Sequence, residues 1–114
     1  MDNISSYFIS LLIPFLMVII GVVNKVRAPK KINHFYGYRT FRSMASQKAW
    51  DHAQKLLGYY SVRFGICNIA IVILLLYLLP FSVDVVTFIN MGLSIIFLFI
   101  PIFFIEKNLK KNFQ

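Results

Sequence analysis

Three long apolar runs, at about 7–23, 62–79 and 83–105, fix most of what this chain can become. Each is too long for an ordinary strand and suited to crossing a hydrocarbon core of about 30 Å, since a helix rises ~1.5 Å per residue. Composition agrees, with 59% hydrophobic and 14% charged residues and a mean hydropathy of +0.72. Lipid is the solvent for much of the chain, and there a backbone must satisfy its own polar groups, which selects helices. The sequence predicts an all-α integral membrane protein, one membrane domain over 1–114 with three transmembrane helices.

The first run is short, ~26 Å at helical rise. Pro14 is expected to kink it modestly, and Gly21 to permit close packing. No basic segment precedes it and no A-x-A-type cleavage site follows, so it is read as a retained helix. Pro80, Phe81 and Ser82 separate the second and third runs, which makes them an antiparallel hairpin with Pro80 stopping the second helix. Three spans put the termini on opposite sides.

The basic residues assign those sides. The chain has 12 Lys and Arg for a net charge of +8, and nine lie between Asn24 and Arg63: Lys25, Arg27, Lys30, Lys31, Arg39, Arg42, Lys48, Lys55 and Arg63 itself. The remaining three, Lys107, Lys110 and Lys111, follow the last run, whereas the N-terminal segment and hairpin turn carry Asp2 and Asp84. The N-terminus is therefore expected outside, with the 24–61 loop and the 106–114 tail in the cytoplasm. Anionic lipid headgroups are the expected partners of this charge. Direct nucleic-acid binding is set aside because no recognised reading motif accompanies it.

Within the loop, residues 28–42 are expected to be irregular and near the headgroups. From Ser46, Ala49, Ala53, Leu56, Leu57 and Tyr60 recur at helical steps, opposite Lys48, Asp51, His52 and Lys55. This predicts a cytoplasmic amphipathic helix leading into the second span, capped by Ser43 or Ser46 and supported by an Asp51 to Lys55 pair. A bend at Gly58 or Gly65 is expected to bring Trp50 and Tyr60 to the interface.

Little in the sequence suggests covalent chemistry. No Asp, Glu, Lys or His lies deep in a span, which disfavours a proton-coupled pump. The intramembrane polar residues are Asn68, Asn90 and Ser94, and depth makes Ser94 the better hydrogen-bond partner for Asn68. His34 and His52 lack companions at metal-ligand spacing, and Cys67 reads as a packed small hydrophobe. No cofactor, metal site or nucleophile with its base is indicated, so the chain is not read as an enzyme. A transporter would require a homo-oligomer, because three helices do not readily enclose a polar path.

The most informative segment is Asn33-His-Phe-Tyr-Gly-Tyr-Arg-Thr40, followed by Ser46, Trp50 and Gly58. Gly37 permits a positive φ or a close approach, and Arg39 presents five donors in a plane. Two uses are open: binding a carboxylate, lipid phosphate or backbone carbonyl, or capping helix carbonyls while the tyrosines anchor the loop.

At Asn33, Tyr36, Gly37, Tyr38, Arg39, Thr40, Ser46, Trp50 and Gly58 the chain resembles the SdpI family of bacterial membrane proteins. That family is named for an immunity protein protecting a toxin-producing cell from its own secreted antimicrobial peptide. The same family member holds a transcriptional repressor at the membrane. The resemblance implies a bacterial cytoplasmic-membrane protein conferring immunity or resistance to a membrane-active peptide. Its alternative implication is a signalling scaffold that docks a soluble regulator on the basic loop. This chain has one short span before the motif, where the immunity protein has more.

Overall fold

The computed structural model describes residues 3–113, so Asp2, assigned above to the outer side, lies outside the described residues. Three helices pack on one another: α1 (Asn3–Val26), α2 (Gln47–Leu78) and α3 (Val83–Phe113). All three are long and apolar enough to cross a membrane. With 24, 32 and 31 residues they extend ~36, ~48 and ~46 Å, so α2 and α3 both outreach a bilayer core of about 30 Å. At the turn, Leu79 ends α2 in extended geometry before Pro80, as the hairpin requires.

The bundle is packed with small and polar residues and faces outward with large apolar ones. Its buried positions include Ser6, Ser10, Met17 and Gly21 on α1, Gly58, Ser61, Gly65 and Asn68 on α2, and Asn90 and Ser94 on α3. Phe8, Phe15, Phe88 and Phe103 are exposed. Such packing suits lipid, where apolar burial between helices gains little and close backbone contact gains more. A Cβ at Gly21 would lie 2.7 Å from the Val62 nitrogen, and one at Gly65 would lie 3.1 Å from the Val18 nitrogen. Ser94 donates to Asn68 Oδ1 at 3.4 Å.

Several expectations are corrected. There is no separate amphipathic helix: its residues form the beginning of α2, which runs unbroken through Gly58 and Gly65. Those glycines seat α2 closely against α1. Trp50 is fully buried and so does not lie at the lipid interface, while Tyr60 is half-buried and stacks with Phe64 and Phe104. The 106–113 stretch is not a tail but the end of α3, because Ile105 and Leu109 bury one helical turn apart. Asp51 accepts a hydrogen bond from Gln47 at 2.8 Å. Cys67 is exposed on the bundle's outer face instead of packed within it. Arg63 lies within α2, its guanidinium 3.6 Å from the Tyr59 ring centre one turn toward the basic end.

Beyond the spans, α2 and α3 continue together and build a small core of their own. Tyr38, Ala53, Ile105 and Leu109 bury there, with Leu56, Leu57 and Tyr60 packed around them. Tyr38 belongs to the α1–α2 loop, which is therefore docked onto this projection.

Candidate functional site

The docked loop is irregular but closely specified. Asn33 Oδ1 accepts from the amides of Phe35 and Tyr36, both at 2.9 Å, making a local turn. Gly37 follows with φ +98°, and a Cβ there would lie 2.6 Å from Pro29 Cγ and 2.8 Å from Gln54 Oε1. Both uses foreseen for this glycine, positive φ and close approach, operate at once.

Gln54 is the centre of the attachment. Its side chain accepts from the Tyr38 amide at 2.8 Å and donates to the Tyr38 carbonyl at 2.8 Å, pairing with the loop backbone as a strand would. It also accepts from Asn24 Nδ2 at 3.1 Å, tying in the end of α1. All three residues are buried, so each bond replaces one that water no longer makes.

A second attachment reaches α3. The Tyr38 hydroxyl and Thr40 Oγ1 both donate to Glu106 Oε2, at 2.7 and 2.9 Å, and Arg42 lies 3.7 Å from Glu106 Oε1. Burial, then the bond to Glu106 and its charge, pushes the Tyr38 phenol well above the ordinary tyrosine range. A raised folded-state value means the contact contributes fully below about pH 10 and is lost progressively above it. In a phenolate absorbance titration, Tyr38→Phe should remove amplitude only from the most alkaline part of the curve. Loss of amplitude near pH 10 would contradict this environment.

The remaining motif residues hold the loop's flanks. Ser46 is the N-cap of α2, accepting from the Ala49 amide at 3.1 Å. Ser43, the other cap candidate, instead accepts from the Thr40 amide at 2.8 Å inside the loop. Trp50 Nε1 donates to the Pro29 carbonyl at 2.7 Å and Gln47 Nε2 to the Lys30 carbonyl at 2.7 Å, so α2 grips the loop's first residues.

Arg39 differs from its neighbours. It is exposed, it donates to the His34 carbonyl within the loop, and it caps no helix in any observed hydrogen bond. It stands at the rim of a cavity of about 350 Å³ bounded by Met17 and Ile20 of α1, Leu98 and Ile102 of α3, and Gly37 to Thr40. Ile20, Leu98 and Ile102 are also exposed, so the cavity opens on the bundle's outer surface.

The structure thus joins Asn33, Tyr36, Gly37, Tyr38, Arg39, Thr40, Ser46 and Trp50 in one platform, while Gly58 serves the α1–α2 contact. Asn68, Asn90 and Ser94 stand apart, with Asn68 ~21 Å along α2 from Gln54. Among the described residues no group of three His, Cys, Asp or Glu side chains is placed to hold a metal. Sequence reasoning passed over Asn24, Gln54 and Glu106, and weighed Ser43 only as a helix cap. Two of these left a signal: Gln54 interrupts an otherwise apolar helical face, and Glu106, the chain's one glutamate, directly follows an apolar run.

Comparison with known proteins places this arrangement. No solved structure matches the chain. A relative in Bacillus subtilis (strain 168), named YfhL and itself uncharacterized, is 41% identical over 51 residues, which are 45% of this chain and 46% of that protein. The matched stretch thus spans a little under half of the relative's length. The family model described as the SdpI/YfhL protein family matches residues 30–105, taking in the docked loop, all of α2 and most of α3. With more than half of its length matched, the chain belongs to the SdpI/YfhL protein family.

Proposed function

We propose that this chain is an immunity or resistance protein of a bacterial cytoplasmic membrane, protecting the cell against a secreted membrane-active antimicrobial peptide. The observation that carries the reading is that the family match and the docked platform share the same residues, including an exposed arginine over a cavity open to the bundle surface. The basic platform faces the cytoplasm and the N-terminus lies outside, as the distribution of Lys and Arg supports. Protection works through the membrane-facing surface around Arg39, by holding the peptide or by occupying the target that it attacks.

The test is deletion of the gene and challenge with secreted peptides from related producers. Survival is expected to fall and to recover with a wild-type copy. Unchanged survival across the panel would refute the immunity reading.

A second reading has its own observation. Phe35 and Phe41 are 89% and 98% exposed beside Lys30, Lys31 and Arg42, a pattern suited to docking a soluble regulator. Crosslinking and pull-down should recover a reproducible partner that Phe35→Ala and Phe41→Ala release. Recovery of none would remove this alternative.

A further inference from the structure

We propose that the Arg39 cavity is a binding site for an anionic phosphate-bearing lipid, with the phosphate on the guanidinium and an acyl chain against the apolar wall that runs toward the spans. The site rests on geometry and chemistry, and it deepens the proposed function by naming what occupies the Arg39 surface.

Two cavities share the arginine. Beside the first, of about 350 Å³, lies a second of about 310 Å³ that has Ile20, Gly37, Arg39 and Leu57 in common with it and continues along Ile19 and Val23. The second lies at the basic end of α1, with Asn24 and Tyr36 also in its wall, and so widens the space around the arginine for a headgroup. The wall of the first divides by depth. Toward the spans the lining is Met17, Ile20, Leu98 and Ile102, and toward the loop it is Arg39, Thr40 and the Gly37 backbone. An acyl chain requires the first kind of wall and a phosphate the second.

The guanidinium suits the headgroup. Its planar donors pair with phosphate oxygens in a fork, and one of them also reaches the His34 carbonyl within the loop. Glu106, the carboxylate that the platform engages, is held by Tyr38, Thr40 and Arg42. Gly37, which lines both cavities, puts no side chain beside Arg39. Net charge +8 favours anionic over zwitterionic lipid throughout this surface. By contrast, the groove of about 490 Å³ between Phe8, Phe15 and Ile73 has only apolar residues in its wall and gives a headgroup nothing to hold.

The full chain, purified in mild detergent, would be titrated with phosphatidylglycerol and phosphatidylcholine of identical chains, and retained lipid read by native mass spectrometry. The expected result is one phosphatidylglycerol retained at least fivefold over phosphatidylcholine. Arg39→Gln should abolish that preference and Arg39→Lys should keep part of it. Leu98→Trp, which fills the chain groove and leaves the cation, should lower retention severalfold. Circular dichroism checks helical content in every variant, and the lysine and tryptophan variants decide the matter if the glutamine variant misfolds. Equal retention of both lipids by the wild type would overturn the proposal, as would undiminished retention by Arg39→Gln. Competition by glycerol phosphate as strong as by the whole lipid would also overturn it, making this a free-phosphate site. Lipid retention without any effect of deletion on survival would refute only the immunity reading. Deletion-dependent survival without retention would refute only the lipid site.

Discussion

Gln54→Leu is expected to release the α1–α2 loop from the bundle while leaving the three helices in place. Leucine preserves the side chain's bulk but removes every bond it makes: to the Tyr38 amide at 2.8 Å, the Tyr38 carbonyl at 2.8 Å and Asn24 Nδ2 at 3.1 Å. A buried group left unpaired costs ~1–3 kcal/mol, and the Tyr38 amide and Asn24 Nδ2 both lose their Gln54 partner while the Tyr38 carbonyl keeps Ser43 Oγ at 3.1 Å, so the loop's attachment should weaken by about 3 kcal/mol. Hydrogen exchange at the 36–43 amides is the direct readout. Exchange there should accelerate by on the order of 100-fold, while α2 amides beyond Gly65 keep their protection. Unchanged loop exchange would mean that Gln54 does not hold the platform.

Gly37→Ala attacks the same junction from the loop side. Alanine is strained at φ +98°, by roughly 1–2 kcal/mol, and its methyl would arrive 2.6 Å from Pro29 Cγ and 2.8 Å from Gln54 Oε1. The Gln54 amide cannot simply turn aside, because its present position makes the three bonds above. A combined penalty of about 3 kcal/mol is expected, read as a lower unfolding temperature in detergent and faster loop exchange. Since both substitutions dismantle one junction, their double variant should lose clearly less than the sum of the singles. Full additivity would show two independent supports.

The spans were legible because hydrocarbon thickness and hydropathy impose them directly, and Pro80 and Ser46 marked helix ends with local chemistry. Bends and tails were less legible because their causes are tertiary. Gly58 and Gly65 read as flexible points in isolation, yet they are small because α1 passes beside them. Trp50 read as an interfacial anchor because its destination, the Pro29 carbonyl, is 21 residues away in sequence. The 106–113 stretch looked like a polar tail, since burial of Ile105 and Leu109 needs Tyr38 and Ala53 from elsewhere. At the site, the aromatic and glycine pattern pointed to the right loop, but the polar groups that fasten it, Asn24, Gln54 and Glu106, are spread over three helices.

On the proposed function, a division of labour follows. Tyr38, Thr40, Trp50, Gln54 and Glu106 hold the platform, and Arg39 is what the platform presents. The most direct test of this division is survival of a deletion strain carrying Arg39→Gln, challenged with a peptide to which deletion alone confers sensitivity. The expected result is loss of protection even though the variant reaches the membrane in wild-type amount with a loop as resistant to proteolysis as the wild type's. Protection equal to wild type from that variant would contradict the assignment of Arg39 as the working group of the site.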